Sequence, residues 1–206
     1  RTLKGHRNTV AAAKISPDDE WIATSSYDGT IRLWPMSGDG DAVVLKDRPK
    51  NVTSVAFAAD GRTMASAGLG SDILLWDMST HEIADKLDGG LTAFGSLHFD
   101  PSGEHLWSLG NEGTIHVRST ADWSVEQTIA VRQDRPFAFA LSPDGSRLGM
   151  TFAGGAAVYS TDPFELLASA DTKIKGMYGV AFSPDGTLLA ASSADGKTRV
   201  WDISQA

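Results

Sequence analysis

The chain has 206 residues, 41% of them hydrophobic and 21% charged, with a formal net charge of −8 and no cysteine. That composition is globular; it holds no run of about 18 apolar residues to cross a membrane, and without cysteine it excludes disulfide and thiolate chemistry. The acidic balance argues against a nucleic-acid surface, which needs clustered Lys and Arg, and with no basic-then-apolar leader at the start a cytoplasmic setting is expected.

The first unit opens on Gly5-His6, turns at Ser16-Pro17-Asp18-Asp19, turns again at Asp28-Gly29, and continues as Ile31-Arg32-Leu33-Trp34. Pro presets φ for a reversal, and Asp-Gly between two alternating runs is a strong hairpin signal. The first turn then recurs as Ala58-Ala59-Asp60-Gly61, Asp100-Pro101-Ser102-Gly103, Ser142-Pro143-Asp144-Gly145 and Ser183-Pro184-Asp185-Gly186. The run that closes each hairpin recurs in step, as Ile73-Leu74-Leu75-Trp76, Ile115-His116-Val117-Arg118, Ala156-Ala157-Val158-Tyr159 and Thr198-Arg199-Val200-Trp201. Ahead of the later turns stand Val55 and Phe57, Leu97 and Phe99, Phe139 and Leu141, and Val180 and Phe182. Residues two apart share one face of a strand. A looser segment such as Ser79-Thr80-His81-Glu82-Ile83 leads from each unit to the next. Four short strands in roughly 42 residues, repeated, predict an all-β chain: a β-propeller of four-stranded antiparallel blades. The repeats fall at about 3–42, 43–83, 84–125, 126–166 and 167–206, within one domain of residues 1–206.

Gly5-His6, Ser16-Pro17-Asp18, Asp28-Gly29 and Trp34, together with Trp76-Asp77 and Trp201-Asp202, resemble the repeats of the WD-repeat β-propeller family. The Ala- and Gly-rich, cysteine-free units look like its bacterial members. The resemblance implies a hydrogen-bonded tetrad of His6, Asp28, Trp34 and a hydroxyl from Thr24 or Ser26, two residues on one strand face. The chemistry is sound, because an indole N–H only donates and needs an acceptor when buried. The fifth unit keeps Ser193, Asp195 and Trp201. Elsewhere the tetrad erodes: Arg48, Gly90, Arg132 and Lys173 match His6, Gly70, Glu112 and Ala153 match Asp28, and Arg118 and Tyr159 match Trp34. Units two to four are therefore expected to rely on core packing, with Arg118 contributing little. Family propellers usually have seven or eight blades. Five repeats imply a five-bladed unit or, the favoured expectation, part of a larger ring; on closure, Arg1 to Lys4 would supply the outer strand of the fifth blade.

No catalytic set accompanies the repeats. His6, His81, His98, His105 and His116 show no helical metal-binding spacing, and there is no cysteine to help; His98 and His116 fall on strands and read as packed or solvated side chains. No nucleophile elbow exists, and neither Gly38-Asp39-Gly40-Asp41 nor Gly68-Leu69-Gly70 completes a phosphate-binding loop. No metal or cofactor is expected. The resemblance implies instead a peptide-binding face, formed by the inter-blade loops and the second hairpins. Carried over, that face holds Tyr27, Leu69, Asn111 and Phe152 before the hairpins, and Thr9, Asn51, Thr53, Arg135, Phe137 and Tyr178 at the starts of the first strands. Arg48, Lys50, Arg132, Lys173 and Lys175 fall in the inter-blade segments. Aromatic residues and Arg are enriched at binding hot spots. The expected function is thus a non-catalytic protein- or peptide-binding scaffold, a module of a larger signalling or regulatory protein. The expected partner is an acidic or phosphorylated protein segment, another domain of the parent chain or an identical chain, and neither nucleic acid nor membrane. The alternatives are a hydrolase- or lactonase-type propeller enzyme and a purely structural spacer.

Overall fold

Alternating runs become strands wherever a tight turn lets the next run pair back, and five such units make five sheets. The computed structural model describes residues 1–46, 51–70, 72–88, 96–110, 113–131, 136–174 and 176–205. Blade one comprises β1 (Val10–Ile15), β2 (Trp21–Ser26), β3 (Thr30–Pro35) and β4 (Val43–Lys46). Blade two comprises β5 (Val52–Phe57), β6 (Thr63–Gly68), β7 (Asp72–Asp77) and β8 (Glu82–Asp88), and blade three β9 (Leu97–Phe99), β10 (His105–Leu109), β11 (Thr114–Ser119) and β12 (Val125–Ala130). Blade four comprises β13 (Pro136–Leu141), β14 (Arg147–Phe152), β15 (Gly154–Ser160) and β16 (Leu166–Ile174), and blade five β17 (Met177–Phe182), β18 (Leu188–Ser193) and β19 (Thr198–Asp202). Each sheet is an antiparallel meander in chain order. Among the described residues there is no helix, and so none long and apolar enough to cross a membrane.

The recurring first turn is held by its own side chains. In blade four the Ser142 hydroxyl donates to Asp144 at 2.5 Å and accepts the Arg147 amide at 2.9 Å. The same pair of bonds recurs with Ser16, Asp18 and Trp21, and with Ser183, Asp185 and Leu188. The fourth turn residue has positive φ: 73° at Gly145, and 57° at Asp19, where blade one lacks the glycine. Asp tolerates this left-handed region better than most residues.

The core lies between blades. Ile31 and Leu33 pack on Val55, Met64 and Trp76; Ala65 and Leu75 pack on Leu97 and Leu106. Ile115 and Val117 meet Phe139, Leu148 and Tyr159, and Ala156 and Val158 meet Leu189. The fifth sheet has three strands among the described residues. On its face turned from blade four, Leu188 and Val200 remain 39% and 58% exposed.

Arg1 to Lys4 does not supply a strand to blade five. The segment lines a cleft with Arg32 and Trp34 of blade one, and the Arg1 guanidinium donates to the Pro35 carbonyl at 3.1 Å. Residues 1–4 carry no strand pairing, and the cleft contacts and the Arg1 bond hold them against blade one.

Candidate functional site

The tetrad of blade one begins with the hairpin that places Asp28 over the segment before β1. The His6 ring holds Asp28 through Nδ1 at 2.9 Å and Thr24 through Nε2 at 2.8 Å. The Trp34 indole donates to the Thr24 hydroxyl at 2.8 Å. Donor roles then run in one direction: Nδ1–H donates to the carboxylate, the Thr24 hydroxyl donates to Nε2, and the indole donates to Thr24. Burial pushes the Asp28 carboxyl up, but bonds from the Thr30 hydroxyl, the Arg7 amide and His6 together hold it well below the usual carboxylate range.

Of the two candidate hydroxyls, Thr24 is the one in the tetrad and Ser26 is not. Both lie on the Trp34 face, but Ser26 sits at the hairpin, where it accepts the Asp28 amide at 3.1 Å and donates to the Asn8 carbonyl. Register then identifies the equivalents of Thr24. They are Ser66, Ser108, Met150 and Ala191, each two residues beyond the strand position opposite Trp76, Arg118, Tyr159 or Trp201. Trp76 donates to Ser66 at 3.0 Å. In blade five Ser193 is the counterpart of Ser26, so the expected link from Ser193 to Trp201 is corrected. Ser193 donates to Asp195 and accepts from Arg199 at 2.7 Å, while Asp195 pairs with Arg199. Arg118 is only 5% exposed. Its Nη2 donates to the Asp88 carbonyl, and burial pushes its pKa down.

The inner strands β1, β5, β9, β13 and β17 border a channel of about 730 Å³. Five of the expected face residues meet on its wall: Thr9, Tyr27, Thr53, Phe137 and Tyr178. The Phe137 and Tyr178 rings stand edge to face, 6.0 Å apart at 74°, and Tyr178 is 55% exposed. Backbone bonds fix this rim, from the Tyr27 amide to the Thr9 carbonyl at 2.9 Å and from the Leu69 amide to the Asn51 carbonyl at 2.9 Å. Leu69 is exposed away from the channel wall. Phe152 packs against the blade three–four core and does not line the channel. Lys173 is exposed, with its amide bonded to Asp171. Arg48, Lys50, Asn111, Arg132, Arg135 and Lys175 lie outside the described residues.

Two further wall residues, Lys14 and His98, are absent from the face read off the sequence. Burial, and then the nearby Lys14 charge, push the His98 imidazole down to about 3; burial also pushes the Lys14 ammonium down. Their signal was present in the repeat. Both stand two residues before the first turn, where the other units carry Ala56, Ala140 and Ala181. Among the described residues, no three His, Asp or Glu side chains converge as metal ligands.

Residues 1–35, 43–77 and 171–202 match the family model "WD domain, G-beta repeat". The chain is 26% identical over 216 residues to "Target of rapamycin complex subunit LST8" of Mus musculus, covering 99% of this chain and 66% of that protein. It is 26% identical over 189 residues to "WD repeat-containing protein SL1-17" of Schistosoma mansoni, covering 89% and 62%. It is 25% identical over 184 residues to "Protein HIR1" of Cryptococcus neoformans, covering 77% and 20%. The chain thus spans less than two thirds of the length of each. Three matched repeats, two further units on the same period and five antiparallel blades make this chain a member of the WD-repeat β-propeller family.

Proposed function

We propose that this chain is a non-catalytic scaffold, a module of a larger regulatory protein, that holds a segment of a partner protein across the mouth of its channel. The observation that carries this reading is the convergence of Tyr27, Phe137 and Tyr178 with Thr9 and Thr53 on one channel wall. Aromatic rings with a polar tip give large contact area at low cost in side-chain entropy, and the Thr hydroxyls beside them can bond a peptide backbone. The similarity to a protein named as a complex subunit supports the same reading. The partner segment is acidic or phosphorylated: the sequence puts Arg48, Lys50, Arg132, Arg135, Lys173 and Lys175 in the segments between repeats, a supply of cations for charge-assisted bonds to carboxylate or phosphate.

The test is capture of partners from the source lysate by the wild-type chain and by a Phe137→Ala, Tyr178→Ala double variant, quantified by mass spectrometry. The proteins enriched by the wild type should fall away in the variant while its circular dichroism stays unchanged. Identical partner sets would overturn the proposal, as would turnover in a broad esterase and lactonase screen.

A further inference from the structure

The channel holds an unpaired charge below its aromatic rim. Lys14 on β1 and His98 on β9 both line it, from blades one and three. They occupy the same register: Lys14 pairs with Ala23 as His98 pairs with Trp107, while Ala56, Ala140 and Ala181 hold that position elsewhere. Three of five equivalent side chains are thus single methyl groups, and the two that are not face a common space.

Lys14 is half-buried, and among the described residues it makes no hydrogen bond or ion pair. Among the described residues no Asp or Glu lines the channel, and its other titratable wall residues are His98 and the phenols Tyr27 and Tyr178. The His98 imidazole packs on the Phe139 ring, with centroids 4.9 Å apart. With its pKa at about 3 it is neutral at physiological pH, leaving Lys14 as the one charge on the described wall. A partly desolvated ammonium with no counter-charge is costly. It would gain from an anion more than an exposed lysine does, because burial against the wall has already removed part of its hydration and weakens screening there. In a molecule of net charge −8, this wall is locally positive.

We propose that the channel between Lys14 and His98 receives one carboxylate side chain, from an Asp or Glu of the partner segment held at the aromatic rim. One positive charge matches one carboxylate. A phosphoryl group, near −2 at neutral pH, would bring a second negative charge that the described wall does not compensate. The proposal rests on the channel-mouth reading above and adds to it the chemistry of a single inserted residue.

Peptide pools with one fixed central residue (Glu, Gln, phosphoserine or Lys) and aromatic-enriched random flanks test it, with binding measured by fluorescence anisotropy. The wild type should bind the Glu pool about tenfold or more tighter than the Gln pool, and the Lys pool weakest. Lys14→Met should bind the Glu and Gln pools alike, and Lys14→Arg should retain the preference. Matching thermal melts would show that all three chains are folded. Equal binding of the Glu and Gln pools by the wild type would overturn the proposal and leave the rim reading standing. So would a Glu preference that survives in Lys14→Met, or a wild-type preference for phosphoserine over Glu. If no pool bound the wild type at all, both readings would fall.

Discussion

Thr24 is the pivot of the first blade, because one hydroxyl serves both the Trp34 indole and the His6 ring. Thr24→Val keeps the shape and removes both partners, so it should cost about 1–3 kcal/mol, the penalty for stranding buried polar groups. Ser26→Ala should cost less, since both Ser26 bonds, from the Asp28 amide and to the Asn8 carbonyl, are longer and go to backbone at the hairpin. Trp34→Ala should cost the most, about 3–5 kcal/mol, by deleting a buried aromatic. Urea denaturation of the three variants orders them, and a Ser26→Ala chain weaker than Thr24→Val would mean that the network is drawn wrongly. Asp28 adds a pH dependence. Its folded carboxyl lies below the unfolded value of about 3.9, so its stabilisation is present above about pH 4 and is lost as pH falls through the folded value. Asp144 and Asp185, both near 2 through their Ser and backbone hydrogen bonds, act in the same direction. Acid titration of stability should therefore be shallower below pH 4 in Asp28→Asn than in the wild type. The identities of His6, Asp28 and Trp34 were legible in the sequence, because His and Trp are scarce, Asp28 stands in an Asp-Gly hairpin signal, and all three sit at fixed offsets in the repeat. The choice of Thr24 over Ser26 was not, because both lie on one face and only the folded hairpin shows which of them reaches the indole.

Whole strands differ in how plainly the sequence writes them. The inner three of each blade are bounded by turns that hold themselves together, and the middle two read as short runs buried on both faces, as at residues 64–68 and 73–76. The outer strands carry little such signal: Val125–Ala130 is exposed along nearly all its length, so no buried face imprints an alternation on it. Blade three shows the other limit of sequence reading. Arg118 in place of Trp suggested a site of small consequence, yet the strand buries it to 5% exposure and leaves its Nε and Nη1 without partners among the described residues. Its neighbour Ser108 still holds the register of Thr24 and Ser66. Arg118→Trp should let the new indole donate to Ser108, as Trp76 donates to Ser66, and should remove a half-satisfied buried cation, a replacement that is often stabilising. A gain on the order of 1 kcal/mol in chemical denaturation is expected. A loss would show that the Asp88 carbonyl needs its guanidinium partner more than blade three needs an indole.

At the scale of the molecule, stability is passed from blade to blade, since the buried clusters sit between neighbouring sheets. The number of blades and their order were therefore legible from the period. How the first and last units end was not, because a repeat pattern encodes the contact of each unit with the next and says nothing of the contact between the two ends. That is why the placement of Arg1 to Lys4 shows only in the folded chain, in its contacts with Arg32, Trp34 and Pro35. The same nearest-neighbour logic singles out Gly149 on β14. A Cβ there would lie 2.5 Å from the Leu189 side chain and 3.0 Å from the Phe182 ring, so blade five seats against blade four only because this residue has no side chain. Gly149→Val would force those two sheets apart while leaving the packing between blades one and two untouched. In an array stabilised by neighbour contacts, the damage should stay local. Hydrogen exchange should show β17, β18 and β19 losing protection several-fold, β13 to β16 losing less, and β1 to β8 exchanging as in the wild type. A uniform loss across all five blades would mean instead that the molecule unfolds as one unit, and that its cohesion does not run only between neighbours.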